Sequence, residues 1–330
     1  MSTTSSFASS TGETGRLYAA GAGSPATRPL DLAGRAVLLA TDGSPSAVAG
    51  ARIALLLARK HRAMIHVVSV VDTRSSPIPP PLDVALTMGD ALAGPDLHRE
   101  QEWSVRTELS GAIGEPIDWP VRIRLGAPGT TIVKEAEQSG AALVIVGLRR
   151  HGRLDRAVND ETALNVMRNA SCPVLGVVPT QDQLPRRLLA AVDFSEGSLI
   201  AVRTGSALVD REGMLVLAYV QALNGFLLDE GQAAIHELGV QAGFAKVARE
   251  LGRDDVAFDH LVLHHGPSQS TAQALLDYAD EMKCDLITAG SVQHSRLDRW
   301  MVGSVSTELV RDGRHSVLIV PPRRRNTTAG

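Results

Sequence analysis

Val37-Leu38-Leu39-Ala40-Thr41-Asp42-Gly43-Ser44 is written a second time as Leu188-Leu189-Ala190-Ala191-Val192-Asp193-Phe194-Ser195. A short apolar run of this kind reads as a strand buried on both faces. Its Asp-x-Ser ending points to a helix start, with Ser44 as N-cap and Pro45 at the first helical position. The duplication continues down the chain. Leu125-Gly126-Ala127-Pro128 is echoed by His265-Gly266-Pro267-Ser268, 142–147 by 285–290, and 173–179 by 316–322. The spacing falls from 151 residues between Asp42 and Asp193 to 140 between Gly126 and Gly266, so the first half carries eleven more residues. The proline run 77–81 is their natural place, because proline suits neither a helix interior nor a central strand.

Within each half, apolar runs of strand length alternate with helical periodicity. Strands are expected at 36–41, 65–71, 121–125, 142–146 and 174–178, then at 189–192, 215–220, 258–263, 286–289 and 317–320. Helices are expected to open at 44–45, 97, 130 and 161, then at 198, 231, 268 and 305. In the first helix Ala47, Ala51, Ala54, Leu55 and Ala58 fall on one face, and in the next Leu97, Leu109 and Ile113 point inward. The reading is α/β: two tandem doubly wound parallel-sheet domains, Rossmann-like, with five strands each. The expected boundaries are a disordered tail 1–34, a first domain 35–180, a linker near 180–187 stiffened by Pro185, a second domain 186–322 and a tail 323–330.

Composition narrows the function. The 330 residues carry 33 Lys and Arg against 36 Asp and Glu, a net charge of −3, and only 3% aromatics. A near-neutral chain with few stacking rings and only Arg323-Arg324-Arg325 as a basic run argues against nucleic acid as partner. Two cysteines, Cys172 and Cys284, exclude a disulfide scaffold and suit a reducing cytoplasm. Both read as small buried packers. No apolar run has membrane-helix length, and 1–34 lacks a signal-peptide core. His264-His265 lacks the further ligands a metal site needs, so no metal is expected. Trp103, Trp119 and Trp300 read as core or interface residues, with Trp300 also placed to cover a ligand.

Candidate chemistry sits where parallel sheets bind ligands, beyond the carboxyl ends of the strands. Asp42 and Asp193 end the first strand of each half. Such a carboxylate either faces a ligand or closes a local capping turn, and the sequence leaves both readings open. In the second half Gly290 is followed by Gln293, then by nine residues, then by Gly303-Ser304. A Gly-Ser pair opening a helix offers bare N–H groups and a hydroxyl to an anion, and Gly290 allows a ligand close approach. No nucleophile, base and orienting group assemble into a catalytic set.

These features resemble the universal stress protein family of the UspA type, over about residues 35–322. The resemblance rests on the Asp-x-Ser strand end, a valine closing the second strand, the Gly-x-Pro-like element, the distant Gly-Ser and the closing "PV-L-V-P" strand. It implies the adenine nucleotide alpha hydrolase-like fold and a non-catalytic stress-response protein of the cytoplasm. Nucleotide-binding members carry Gly-x2-Gly-x9-Gly-Ser/Thr, and by that match the second-half site is Val192, Asp193, Val220, Gly290, Gln293, Gly303, Ser304, Val305 and Ser306. The strand residues would surround the adenine and the loop would hold ribose and phosphates, with ATP or AMP as ligand. Gln293 departs from the pattern by putting a side chain where backbone should approach. The first-half equivalents are degenerate: Thr41, Asp42, Val70 and Gly147, then Arg150 for the middle glycine and Asp160-Glu161 for Gly-Ser. Two carboxylates at a helix start repel a triphosphate, although Arg149, Arg150, Arg153 and Arg156 offset them. ATP is therefore expected in the second half at most. The other readings are a nucleotide-free scaffold for unknown protein partners and a weak nucleotide hydrolase. The resemblance also implies that 174–178 and 317–320 meet across a pseudo-two-fold axis, making the chain a pseudo-dimer, with further homodimerisation open.

Overall fold

Strand and helix alternate twice along the chain. The computed structural model describes residues 30–72, 95–148, 159–222, 230–251, 257–291 and 303–321. The first half runs β1 (Ala36–Thr41), α1 (Pro45–His61), β2 (Met64–Asp72), α2 (Pro95–Ile113), β3 (Val121–Gly126), α3 (Pro128–Gln138), β4 (Leu143–Gly147), α4 (Asn159–Asn169) and β5 (Val174–Val177). The second runs β6 (Arg187–Val192), α5 (Glu196–Leu208), β7 (Met214–Ala222), α6 (Glu230–Leu251), β8 (Ala257–His265), α7 (Thr271–Met282), β9 (Leu286–Gly290), α8 (Ser304–Asp312) and β10 (Ser316–Val320).

The ten strands form one sheet, ordered β3-β2-β1-β4-β5-β10-β9-β6-β7-β8. Each half is parallel and doubly wound. The halves join where β5 and β10 run antiparallel, pairing Val317 with Gly176, Leu318 with Leu175 and Ile319 with Val174. The expected meeting of the closing strands is thus observed, and the two five-stranded sheets are continuous. The join removes two sheet edges that would otherwise present unpaired backbone groups.

Alternation along each buried strand feeds two helical layers. Val37 and Leu39 of β1 pack in the layer that holds Leu57, Leu109, Val202 and Phe244, from α1, α2, α5 and α6. Leu38 and Ala40 pack in the opposite layer with Ile132, Val166, Leu275 and Leu309, from α3, α4, α7 and α8. Each apolar layer therefore spans both halves. Polar contacts cross the join as well: the Lys60 ammonium donates to the carbonyls of Ala207 and Val209, and the His61 ring pairs with the Ala207 carbonyl at 3.0 Å. Residues of the last turn of α1 thus serve carbonyls at the end of α5, which have no intrahelical partner. Among the described residues no helix is long and apolar enough to cross a membrane.

Several boundaries and faces differ from the sequence expectation. Helix α3 starts two residues early, because Pro128 occupies its first position and Ala127 supplies no side-chain cap. Helix α7 starts late, at Thr271, because Ser270 rather than Ser268 is the N-cap, its hydroxyl accepting from Gln273 N–H at 3.0 Å. On α1 the buried stripe includes Ile53 and Leu57, while Leu55 and Ala58 are only half-buried. Trp103 is not core: it stands 68% exposed on α2, whereas Trp119 is half-buried. Cys284 is buried and Cys172 half-buried, and burial pushes each thiol up to about 11. The side chain of Leu97, together with Trp300 and the 77–81 segment, lies outside the described residues.

One buried charge holds the outer edge of the first half. Glu135 of α3, its side chain 2% exposed, accepts from Arg122 at 2.5 Å and from Arg124 at 2.9 Å, both on β3. The alternation of Arg with Val121, Ile123 and Leu125 puts both cations on the α3 side of the strand. Glu135→Gln is expected to cost about 1–3 kcal/mol, because it removes the buried negative charge between two cations and sets an NH2 donor against one of the two arginines. Chemical denaturation of the two proteins checks this, and an unchanged midpoint would rule it out.

Candidate functional site

The strand order reverses between β1 and β4, and again between β6 and β9. Connections leave such a point in opposite directions and open a crevice at the carboxyl ends of the strands. Asp42 directly follows β1 and Gly147 ends β4, so both border the first crevice. Asp193 and Gly290 hold the same places in the second.

Both Asp-x-Ser turns form capping geometry. The Asp42 carboxylate accepts from Ser44 N–H at 3.0 Å, and the Ser44 hydroxyl accepts from Ala47 N–H at 3.3 Å. The second copy matches: Asp193 accepts from Ser195 N–H at 3.0 Å, and the Ser195 hydroxyl from Ser198 N–H at 3.2 Å. Burial raises the Asp193 carboxyl, but hydrogen bonds from Ser195 and Ser198 outweigh it and hold the group below its ordinary value. Its contribution to the turn is thus present at neutral pH and lost as pH falls through that lowered value, and exposure keeps it small. Capping accounts for these aspartates in the fold without removing them from the crevice.

The residue between Asp and Ser separates the halves. Gly43 has φ +74°, and a Cβ there would meet the Glu108 carboxylate of α2 at 2.8 Å. In the second half Phe194 takes φ +62°, a left-handed conformation that phenylalanine rarely adopts. Its ring stacks on Tyr219 at 5.1 Å and meets Phe244 edge-on at 5.2 Å, over Gly243 of α6, where a Cβ would come within 2.6 Å of the ring. The bulk over the turn comes from α2 in one half and from the turn itself in the other.

In the first half a cavity of about 100 Å³ opens at the crevice. Its floor is apolar: Ala40 of β1, Val68 and Val70 of β2 and Val146 of β4. Pro128 and Ile132 of α3 and Thr162 and Ala163 of α4 wall it, and Thr41, Asp42, Ser44, Ser46 and Gly147 form its polar rim. Of the first-half residues singled out from sequence, Thr41, Asp42, Val70 and Gly147 come together here. Arg150 lies outside the described residues, and Asp160-Glu161 stands in the first turn of α4, directly before Thr162. The α3 and α4 walls were missed. The signals were present: Pro128 belongs to the repeated Gly-x-Pro-like element, and Thr162-Ala163 aligns with Val305-Ser306.

In the second half the described candidates keep the same framework. Val192 is buried at the end of β6, and Val220 on β7 takes the place of Val70 on β2. The N-cap of α8 is Gly303, which makes no side-chain cap bond. A Cβ on Gly303 would meet nothing within 4 Å, Ser304 is exposed, and Ser306 is buried. Gly290 departs from expectation. Its missing side chain makes room for protein: a Cβ there would lie 2.7 Å from the Gly197 carbonyl oxygen and 3.1 Å from Ser198 N. Gln293 lies outside the described residues. His265 is occupied locally, its ring within 3.0 Å of the Gly266 carbonyl and 3.4 Å of the Thr271 hydroxyl.

A profile described as the universal stress protein family matches residues 34–178 and again 185–321. The chain belongs to the universal stress protein family. It is 27% identical over 154 residues to a universal stress protein of Methanocaldococcus jannaschii, covering 43% of this chain and 80% of that one. Among solved structures, a universal stress protein from Archaeoglobus fulgidus superposes with a TM-score of 0.59 at 18% identity, over 87% of this chain and 98% of the other. A putative universal stress protein from Pseudomonas aeruginosa gives 0.55 at 16% identity, over 88% and 94%. At these identities the structural likeness bears on the fold alone. It spans both halves, so the tandem arrangement is shared along with the single-half fold.

Proposed function

We propose that this universal stress protein is a non-catalytic regulator that takes ATP or AMP in its second half. The observation that carries the reading is the start of α8. Gly303 leaves the first-turn N–H groups without a side-chain cap, beside open space and an exposed Ser304. An uncapped helix N-terminus at a strand-order reversal suits a phosphate through its N–H groups and the helix dipole. Val192, Asp193 and Val220 supply the base side of the same crevice, Gly290 keeps the turn below it tight, and Gln293, Val305 and Ser306 complete the set. Ligand occupancy would act by changing loop order or assembly in favour of one state.

Calorimetric titration of the full chain with ATP tests this. Binding is expected in the wild type and is expected to weaken at least tenfold in Gly303→Asp. An aspartate there caps α8 itself and repels phosphate, while the space around Gly303 leaves the fold intact. Heatless titrations of both proteins would favour the scaffold reading, in which the loops serve protein contacts. Steady phosphate release above a protein-free blank would favour the hydrolase.

A further inference from the structure

We propose that the outward faces of α2 and α6 form a self-association surface. Two copies of this chain pack on it face to face, with α2 of each against α6 of the other.

Among the described residues, the three most exposed large apolar side chains sit on these two helices. Trp103 of α2 is 68% exposed, and Ile235 and Leu238 of α6 are 74% and 70% exposed. They hold equivalent places in the duplication. Each helix turns two buried residues, four positions apart, toward the sheet: Val105 and Leu109 on α2, Val240 and Phe244 on α6. Trp103 stands two residues before Val105, and Leu238 two residues before Val240. Two residues turn a helix by more than half a revolution, so both side chains point away from the core. On α6 the same outward face continues through Gly239 and Ala242, also exposed and at helical spacing from Ile235 and Leu238. Glycine weakens a helix interior, and the fold does not need the space here, because a Cβ on Gly239 would meet nothing within 4 Å. One helix thus presents a bulky ring, and its counterpart presents small residues flanked by two aliphatic side chains.

The symmetry of the chain identifies the occupant. Helices α2 and α6 pack in one layer, one in each half. The antiparallel join of β5 and β10 within a single sheet relates the halves by a pseudo-two-fold axis through that sheet. A second copy turned over onto this face therefore sets its α6 over α2 and its α2 over α6. Both Trp103 rings meet a small-residue face at once, and the contact closes into a dimer without leaving an open end. An unrelated partner would have to match two sites related by that axis, whereas a second copy matches them by construction. With large side chains carrying about 150–250 Å² each, Trp103, Ile235 and Leu238 expose about 400 Å² per copy. A dimer removes about twice that from water, and the flanking turns of four helices supply the rest of the ~1,200–2,000 Å² of a specific interface.

Sedimentation equilibrium of the full chain tests this. The wild type is expected to dimerise, and Trp103→Glu and Leu238→Glu are each expected to raise the dimer dissociation constant at least tenfold. Both positions are exposed, so circular dichroism of the variants is expected to match the wild type. Gly239→Gln separates the interface from the fold: it favours the helix but fills the space, so a weaker dimer of undiminished helicity is expected. Disulfide capture reads the orientation. Trp103→Cys and Leu238→Cys are expected to cross-link to each other when mixed and neither to itself. The native thiols, pushed up to about 11 by burial, react slowly by comparison. Cross-links confined to the single-variant samples would overturn the pairing of α2 with α6. A wild type that stays monomeric up to about 100 μM, too weak for a specific contact of this size, would overturn the proposal. So would a dimer that neither Glu variant weakens.

Discussion

Leu318→Ala is expected to lower a single, undivided thermal transition. Leu318 is fully buried at the middle of β10 and pairs with Leu175 across the antiparallel join. On its other side it pairs with Thr288 of β9, whose hydroxyl donates to the Leu318 carbonyl at 3.2 Å. Removing the side chain costs about 2–5 kcal/mol in lost transfer energy and unfilled space. The harsher Leu318→Asp adds a buried carboxylate with no cation opposite it. That penalty comes on top of the lost packing and rivals the whole margin of about 5–15 kcal/mol by which domains are stable. No cooperative transition is expected for that variant. The milder one is the more informative, because it asks whether the halves fold as a unit. Both apolar layers run through the join, and Lys60 and His61 cross it to serve α5. Scanning calorimetry is therefore expected to show one peak displaced downward. Two peaks with only one displaced would mean that each half folds alone and that the join is an ordinary domain contact.

The duplication made most of this architecture readable in the sequence. Val174–Val177 and Ser316–Val320 are short, fully buried and alike, and an edge strand of that kind needs a partner. The capping serines were legible for the same local reason, since an Asp-x-Ser ending can satisfy its own N–H groups. What the sequence concealed depends on long-range packing. Nothing near Glu135 indicates that a charge on α3 would be buried against two arginines of β3. Nothing near Phe194 indicates that its ring rests on Gly243, 49 positions away. The cavity was half-legible: its rim came from the strand ends, while its walls came from helices whose starts the repeat marks at Pro128 and at Thr162-Ala163 without showing that they face the cavity. Arg150 and Gln293, the two departures at the middle of the glycine pattern, lie outside the described residues.

Gly290→Ala is expected to destabilise the second half by about 1–3 kcal/mol, the range of a forced steric conflict in a packed protein. The added carbon would lie 2.7 Å from the Gly197 oxygen, 2.8 Å from its carbonyl carbon and 3.1 Å from Ser198 N. All are backbone atoms of the first turn of α5, so no rotamer change relieves them. Gly147→Ala meets a softer neighbour, the Ser46 hydroxyl at 2.6 Å, but Ala47 N at 3.0 Å stays in the way. A smaller loss is expected there. Gly303→Ala, with nothing within 4 Å, should cost about 1 kcal/mol or less, the difference between glycine and alanine at an N-cap. Urea denaturation of the three variants orders them, and a Gly303 variant as damaged as the Gly290 variant would contradict the packing account. The ordering decides how binding data are read. ATP affinity lost in Gly290→Ala reports a displaced helix start, because that glycine faces Gly197 and Ser198. ATP affinity lost in Gly303→Asp, at unchanged stability, reports the ligand. The two glycines of one sequence pattern therefore answer different questions, and only the second one tests the phosphate site.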